Sequence, residues 1–294
     1  MTNPSKKGRT KEESSRNIWQ RNKWLVLRRL SQITIIFLFL LGPWFGVWWL
    51  KGNLNSNLLF DVVPLTDPFI FVQVIASGFW PTANLVIGFL IVVAFYLLVG
   101  GRVFCSWVCP INIVTDFARW LRTKLGLKKS SNISRQTRYW LLAGILISTA
   151  VTGSLIWELV NPVSMTTRGL VFGMGTAIYF ILAVFVFDLL VSKNGWCGHI
   201  CPMGATYNLI GKLSLIKVNA AKRKDCDDCM DCYFVCPEPQ ILRPVLKGSA
   251  ETSSLIQSSD CTNCARCIDV CDKKVFEFSN RFLKSVEKNN EKVS

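Results

Sequence analysis

The chain has 294 residues, is 50% hydrophobic and carries a formal net charge of +15. So much apolar sequence beside so much charge does not fit one soluble core; it fits a membrane protein whose charges lie in its loops. No nucleic-acid-binding fold signature accompanies the basic residues, so the charge does not point to a nucleic-acid partner.

Residues 1–29 form a polar, basic segment with nine Lys and Arg, among them Lys6, Lys7, Arg28 and Arg29. No small-residue cleavage site follows the first apolar run, and that run is long enough to stay in a membrane, so no cleaved leader is expected. Residues 30–219 hold four apolar segments: Leu30–Leu50, Asn84–Gly100, Tyr139–Val160 and Leu170–Val191. Each approaches the roughly 20 residues that cross the hydrocarbon core as a helix. Gly42-Pro43 is expected to kink the first, and Pro68–Trp80 to form a short interfacial or re-entrant helix.

The basic residues set the topology. Residues 1–29, the loop 101–138 and the chain after 192 carry 32 Lys and Arg; the loops 51–83 and 158–169 carry only Lys51 and Arg168. Positive charge stays inside, so both termini are expected inside, with four spans.

Gly101-Arg-Val-Phe-Cys105-Ser-Trp-Val-Cys109-Pro110 is echoed by Asn194-Gly-Trp-Cys197-Gly-His-Ile-Cys201-Pro202, at an offset of 92 residues. Each copy follows an apolar segment in the same orientation, which predicts two parallel hairpin repeats. The fold class expected is an α-helical membrane protein with four transmembrane helices in two hairpins. A small cytoplasmic two-cluster ferredoxin-like domain over 220–294 completes it.

That tail holds Cys226-x2-Cys229-x2-Cys232-x3-Cys236-Pro237 and Cys261-x2-Cys264-x2-Cys267-x3-Cys271. Thiolates at this spacing bind [4Fe–4S] clusters, the fourth cysteine of each run going to the other cluster. One cluster is therefore expected on Cys226, Cys229, Cys232 and Cys271, the other on Cys261, Cys264, Cys267 and Cys236. Asp272 stands where the first run has Pro237. Four-cysteine zinc sites are the rival chemistry. A disulfide scaffold suits short secreted chains and is set aside here. With little apolar core of its own, the tail should use its clusters as staples.

The Cys105/Cys109 and Cys197/Cys201 pairs leave more open. Four-residue spacing would put both thiols on one helix face. Each pair could cycle between dithiol and disulfide, the four could hold a metal or cluster, or they could dock a partner; plain helix-end packing is the bland alternative. His199, the sole histidine, lies inside the second pair. No Cys-x2-Cys-His occurs, so covalent haem is not indicated.

A membrane carrier of electrons suggests quinone. Glu158, beside Trp157, is the expected proton acceptor, with Asp61 and Asp67 behind it; a solvated helix-end charge is the ordinary reading of each. Asp188, inside the fourth span, is a functional candidate by position. Trp44, Trp48, Trp49 and Trp80 read as interfacial anchors.

Together these motifs resemble the NapH family, the ferredoxin-type membrane subunit of the quinol dehydrogenase serving periplasmic nitrate reductase. The likeness spans about residues 20–280. It implies a bacterial inner-membrane location, menaquinol or ubiquinol as substrate and a periplasmic iron–sulfur partner of the NapG type. It also implies delivery to periplasmic nitrate reductase, directly or through a multihaem cytochrome. The clusters would then lie about 30 Å of hydrocarbon away from that partner. The other class of function is an assembly or maturation factor that uses cytoplasmic reducing power on the metal or thiols of a partner enzyme. A third is a scaffold whose clusters only stabilise the tail.

Overall fold

The structure, a computed structural model, describes residues 18–127, 130–131, 133–173, 175–248 and 253–282. Lys6, Lys7, Arg9, Lys11, Arg16, Lys128, Lys129, Lys284, Lys288 and Lys292, which enter the charge count, lie outside the described residues.

The first helix, α1 (Ile18–Phe45), is the one described helix long and apolar enough to cross a membrane by itself, over Trp19–Phe45. It starts before the expected Leu30 and stops short of Leu50. Pro43 lacks the N–H that would extend it, and Gly46 turns left-handed at φ 73°. A meander follows: β1 (Leu50–Asn53), β2 (Ser56–Leu59) and β3 (Val63–Thr66), antiparallel, with Leu50 opposite Leu59 and Ser56 opposite Thr66. The expected short helix is α2 (Pro68–Ala76). Asp67 caps it, taking the N–H groups of Phe69 (2.8 Å) and Ile70 (3.4 Å), with Pro68 at the first turn.

The second apolar segment is α3 (Ala83–Val99), and α4 (Ile111–Lys124) runs on from it after a wide turn. The third and fourth segments are broken by glycine. α5 (Thr137–Thr152) ends at Gly153, whose φ of 65° is the usual left-handed stop. α6 (Ile156–Val160) and α7 (Pro162–Phe172) follow separately, and Gly173 (φ 105°) parts α7 from α8 (Ala177–Val186). α8 then widens into a π turn, Phe187–Val191. Apolar composition marked these stretches; it did not show where glycine would interrupt them.

Contacts gather the described chain into two units. One, the helical unit, holds 30–95 and 107–207; the other, the tail unit, holds 18–29, 96–106 and 208–282. In the helical unit α2 packs on α5, α4 on α8 and its π turn, and α7 on α8. Leu90, Ile147, Val151, Tyr179 and Leu182 nevertheless face outward. Large side chains exposed along several apolar helices suit lipid better than water.

In the tail unit, after α9 (Pro202–Gly211), β4 (Ile216–Asn219) pairs antiparallel with β5 (Glu277–Asn280). The short helices α10 (Asp231–Val235) and α12 (Arg266–Val270) pack together, with α11 (Arg243–Lys247) between them in sequence. The core is small: Val218, Ile241, Leu242, Val245, Ile256, Val275 and Phe276 surround Cys232, Cys236 and Cys267.

Candidate functional site

The two ferredoxin runs fold alike. In the first, Asp228 (φ 53°) and Met230 (φ 62°) are left-handed; in the second, Asn263 (φ 47°) and Ala265 (φ 58°) occupy the same steps. Each pair flanks the second cysteine of its run, and the short helix that follows carries the third. Non-glycine residues in this region cost on the order of 1 kcal/mol each, so something must hold them there.

The cysteines supply the answer. Cys226, Cys229, Cys232 and Cys271 line one cavity together with Tyr233, Leu246 and Phe276. Cys236, Cys261, Cys264 and Cys267 line a second together with Val218, Ile241 and Ile256. The fourth cysteine of each run thus faces the other run's three. The four thiols of each cavity stand around a space, and that donor set fits a cubane cluster.

Electrostatics agree with the need for a cationic guest. Burial pushes the Cys232 thiol up to about 12, helped by its neighbours Cys229, Cys226 and Cys271. Burial likewise raises Cys261 to about 11 and drives Cys236 and Cys267 upward. Buried thiols such as Cys232, Cys236, Cys261 and Cys267 resist ionisation by themselves; iron would supply the positive charge that makes them thiolates.

The Cys-x3-Cys-Pro motifs depart from the α-helical face expected of them. Each is a π turn, Phe104–Val108 and Trp196–Ile200. In the second, Cys201 N–H reaches back five residues to Trp196 O at 2.9 Å. Proline then forces the change of direction. The residue before it is kept out of the helix, so Cys201 is extended (φ −60°, ψ 114°), and Pro202 opens α9. The Cys201 sulfur receives the Gly204 N–H at 3.4 Å. Cys197 donates to Thr115 Oγ1 at 3.9 Å. Cys109, buried, and Cys197 and Cys201, half-buried, belong to the helical unit; Cys105, half-buried, belongs to the tail unit. His199 lies half-buried in the second π turn.

Asp188 serves that same turn. Its Oδ1 takes the Trp196 N–H at 2.8 Å, and Arg122 donates to the Asp188 and Leu189 carbonyls.

Glu158 is not a solvated helix-end charge. Its Oε1 accepts from Asn55 Nδ2 (2.7 Å) and Asn161 Nδ2 (3.1 Å), and its Oε2 from Ser164 Oγ (2.8 Å). Asn55, Asn161 and Ser164 are themselves fully buried. Asp61 is different: it lies exposed in an ion pair with Lys51. Asp67 is buried and accepts from Tyr207 Oη at 2.7 Å.

Burial raises the Asp67 carboxyl from 3.8 to about 6; its hydrogen bonds pull the other way, and nearby Glu158 adds to the rise. The sign follows. The folded chain holds this proton over pH 4 to 6 while the unfolded chain has released it, so stability falls as pH rises through that window and is flat above it. Asp67→Asn keeps the helix cap and is expected to flatten this slope, with a gain at pH 7.5 of at most about 3 kcal/mol. Thermal melts over pH 4 to 8 check it; an unchanged slope refutes the assignment.

The sequence reading missed the groups that grip the second cage. Arg102, only 2% exposed, donates to the Asp260 carbonyl (2.9 Å) and pairs with Glu238 (3.4 Å). Ser106 Oγ donates to Thr262 O (2.8 Å), and Asn263 Nδ2 to Val99 O and Ile216 O (both 3.0 Å). Gly100 (φ 129°) permits this, since a Cβ there would lie 2.5 Å from Asn263 Nδ2. The stretch 96–106, which carries Cys105, is therefore bonded to the loop around Cys261. Arg28 joins it through Ser106 O at 3.0 Å.

Comparison with known proteins bears on these motifs. "Ferredoxin-type protein NapH" of Haemophilus influenzae is 51% identical over 269 residues, 92% of this chain and 94% of its own. The chain belongs to the NapH family of ferredoxin-type proteins. NapH of Escherichia coli is likewise 51% identical, over 90% of this chain and 92% of its own. "Methylamine utilization ferredoxin-type protein MauN" of Methylorubrum extorquens is 46% identical over 91% of this chain and 93% of its own. The family described as "4Fe-4S binding domain" matches residues 82–128 and 174–220. These two stretches start 92 residues apart, the offset of the repeated cysteine pairs. They contain Cys105, Cys109, Cys197 and Cys201 rather than the eight tail cysteines. No solved structure matches the chain.

Proposed function

We propose that this NapH-family protein is a membrane-bound iron–sulfur electron-transfer subunit that takes part in quinol oxidation. Electrons would go toward periplasmic nitrate reductase through a periplasmic iron–sulfur partner of the NapG type. The observation that carries the electron-transfer reading is the pair of four-thiol cavities, each built from both runs. Cys226, Cys229, Cys232 and Cys271 would hold one [4Fe–4S] cluster, and Cys236, Cys261, Cys264 and Cys267 the other. Such clusters supply one-electron storage and transfer.

Four spans, both termini cytoplasmic, in a bacterial inner membrane, are part of the same proposal. The charge asymmetry and the outward apolar faces of α3, α5 and α8 support it. On the outer side the helical unit has a largely apolar cavity lined by Phe39, Trp48, Asn53, Thr167, Arg168 and Phe172, with further apolar residues. Thr167 and Arg168 lie one turn along α7 from Ser164, which holds Glu158. A quinol ring placed there would lose two protons outward by way of Glu158. Its two electrons would leave one at a time to the iron–sulfur partner. The somewhat higher identity to NapH, 51% against 46% for MauN of Methylorubrum extorquens, supports nitrate rather than methylamine metabolism.

A second reading has its own support. The hydrogen bonds between 96–106 and the Cys261 loop give the tail a direct connection to Cys105. That suits a maturation factor in which cytoplasmic reducing power enters by the tail.

An anaerobic redox titration of the cluster-loaded protein, read by EPR, separates the two. Midpoints near that of a quinone pool support the quinol relay. Midpoints near about −400 mV, the range of low-potential ferredoxins, would make quinol a poor reductant of these clusters and put maturation first.

A further inference from the structure

The loops 51–83 and 158–169 hold two basic residues, Lys51 and Arg168. Lys51 pairs with Asp61. The exposed Arg168 side chain has no hydrogen bond or ion pair to another residue among the described residues. A lone surface arginine is ordinarily a solvated charge. Arg168 differs in where it stands, on the lining of a cavity of about 530 Å³ bounded by residues of α1, β1 and α7. That volume is in the range of small-molecule sites. Phe39, Trp48 and Phe172 make much of its wall apolar, and Trp48 and Phe172 are also exposed, so a lipid-soluble ligand can enter at that edge.

The polar groups left over on the lining are mostly donors. Asn53 uses its Oδ1 to accept from the Asn55 N–H (3.0 Å) and the Ser56 N–H (2.9 Å), which leaves its Nδ2 as a donor. Arg168 can only donate, and it stays protonated at any ordinary pH. No carboxylate lines the cavity among the described residues. Donors of this kind, one of them fully charged, favour a ring oxygen that has lost its proton over a neutral hydroxyl.

A proton acceptor stands just behind both walls. On the β1 side, Asn55, bonded to Asn53, donates to Glu158 Oε1 at 2.7 Å. On the α7 side, Thr167 Oγ1 donates to Ser164 O at 2.9 Å, and Ser164 Oγ donates to Glu158 Oε2 at 2.8 Å. Each wall therefore reaches Glu158 through one intervening residue.

We propose that Arg168 is a catalytic residue of quinol oxidation: its guanidinium, with the Asn53 amide, holds a quinol oxygen as that oxygen gives up its proton toward Glu158. The inference rests on the quinol reading above and assigns the group that stabilises the charge left behind. One O–H bond of the quinol breaks, its proton goes to the Glu158 carboxylate, and the negative oxygen faces Arg168. The oxidant is the one-electron iron–sulfur partner already proposed. It takes two electrons in turn, and the second proton follows the first once Glu158 has released it outward. One quinol thus yields one quinone, two protons and two electrons. Apolar walls strengthen the attraction between Arg168 and the oxygen, and a fixed cation needs no rearrangement as the charge appears.

The test measures kcat and KM across pH for a short-tailed ubiquinol and a short-tailed menaquinol. It uses the reconstituted system, with the full-length, cluster-loaded protein in phosphatidylcholine vesicles. Arg168→Gln should lower kcat about 100-fold and leave KM within about threefold. The limb of kcat/KM that rises with pH should move to higher pH, because the cation that favours the deprotonated oxygen is gone; Arg168→Lys should restore most of both. The purified wild type should bind a heptyl-hydroxyquinoline N-oxide, a fluorescent acidic quinol analogue, about 10-fold or more tightly than Arg168→Gln does. An unmoved kcat and pH limb in Arg168→Gln overturn the proposal. So does a rise in KM alone, which would make Arg168 an anchor of bound quinol and no more. A wild-type rate that requires phosphatidylglycerol, with the requirement gone in Arg168→Gln, also overturns it and gives the cavity to an anionic phospholipid. Should Arg168→Gln not fold, the wild type decides: an analogue bound no more tightly above its own pKa than below it overturns the proposal. A wild type that binds no analogue and oxidises neither quinol overturns the quinol reading itself.

Discussion

Cys271→Ser is expected to remove the same cluster as Cys226→Ser, and Cys236→Ser the same cluster as Cys261→Ser, although each pairing joins cysteines of different runs. The cavities dictate this: Cys271 stands with Cys226, Cys229 and Cys232, and Cys236 with the other three. Each variant should lose about four of about eight irons and leave the other cluster's EPR signal in place. The structural effect should be as large as the spectroscopic one. The cages stand among a thin core, and four left-handed non-glycine residues line their loops. Without its cluster a cage keeps the strain and loses the bonds that offset it, so a loss of more than about 4 kcal/mol is expected. Measuring iron, EPR and thermal unfolding for the four variants tests the pairing. If Cys271→Ser instead matched Cys261→Ser, each run would hold its own cluster and the crossed arrangement would fail.

How much of this was legible in the sequence depended on whether a feature is local. Cysteine spacing is local and chemical, and the tail cages assemble from the residues it marks. Apolar runs were legible as helices, but their ends were set by single glycines and a proline. Gly153 and Gly173 cut the third and fourth segments because their backbones are left-handed, and no count of apolar residues shows that. The π turns were hidden for a related reason. A four-residue spacing reads as one helix face, yet the proline after each second cysteine breaks the helix and the turn widens before it.

Long-range electrostatics were the least legible. Arg102 and Lys217 read as two more inside-loop cations in the charge count, where they served only topology. The burial of Arg102 depends on partners more than 130 residues away in the chain, Glu238 and Asp260, and buried Lys217 reaches the Gly211 carbonyl. Glu158 shows the same limit. Position favoured an ordinary exposed carboxylate, but Asn55, contributed by the β1–β2 turn, meets it from 103 residues away.

Serine at both cysteines of either Cys-x3-Cys-Pro motif, Cys105 with Cys109 or Cys197 with Cys201, is expected to abolish function while leaving the tail clusters intact. Serine matches cysteine closely in size, and neither motif lends a side chain to the two cages. Iron content and EPR of the tail should therefore survive. What serine cannot do is form a disulfide or bind iron as a soft thiolate. The turn itself should survive too, since Pro110 and Pro202 and the π hydrogen bond from Cys201 to Trp196 use the backbone alone. A fall of about 100-fold or more in quinol-dependent nitrate reduction by the reconstituted system is therefore expected, beyond the scale of losing a supporting group around a metal. Equal losses from the two motifs would mean that the repeat acts as one device. Unchanged activity in both would return the pairs to helix-end packing and leave the π turns as folding features only.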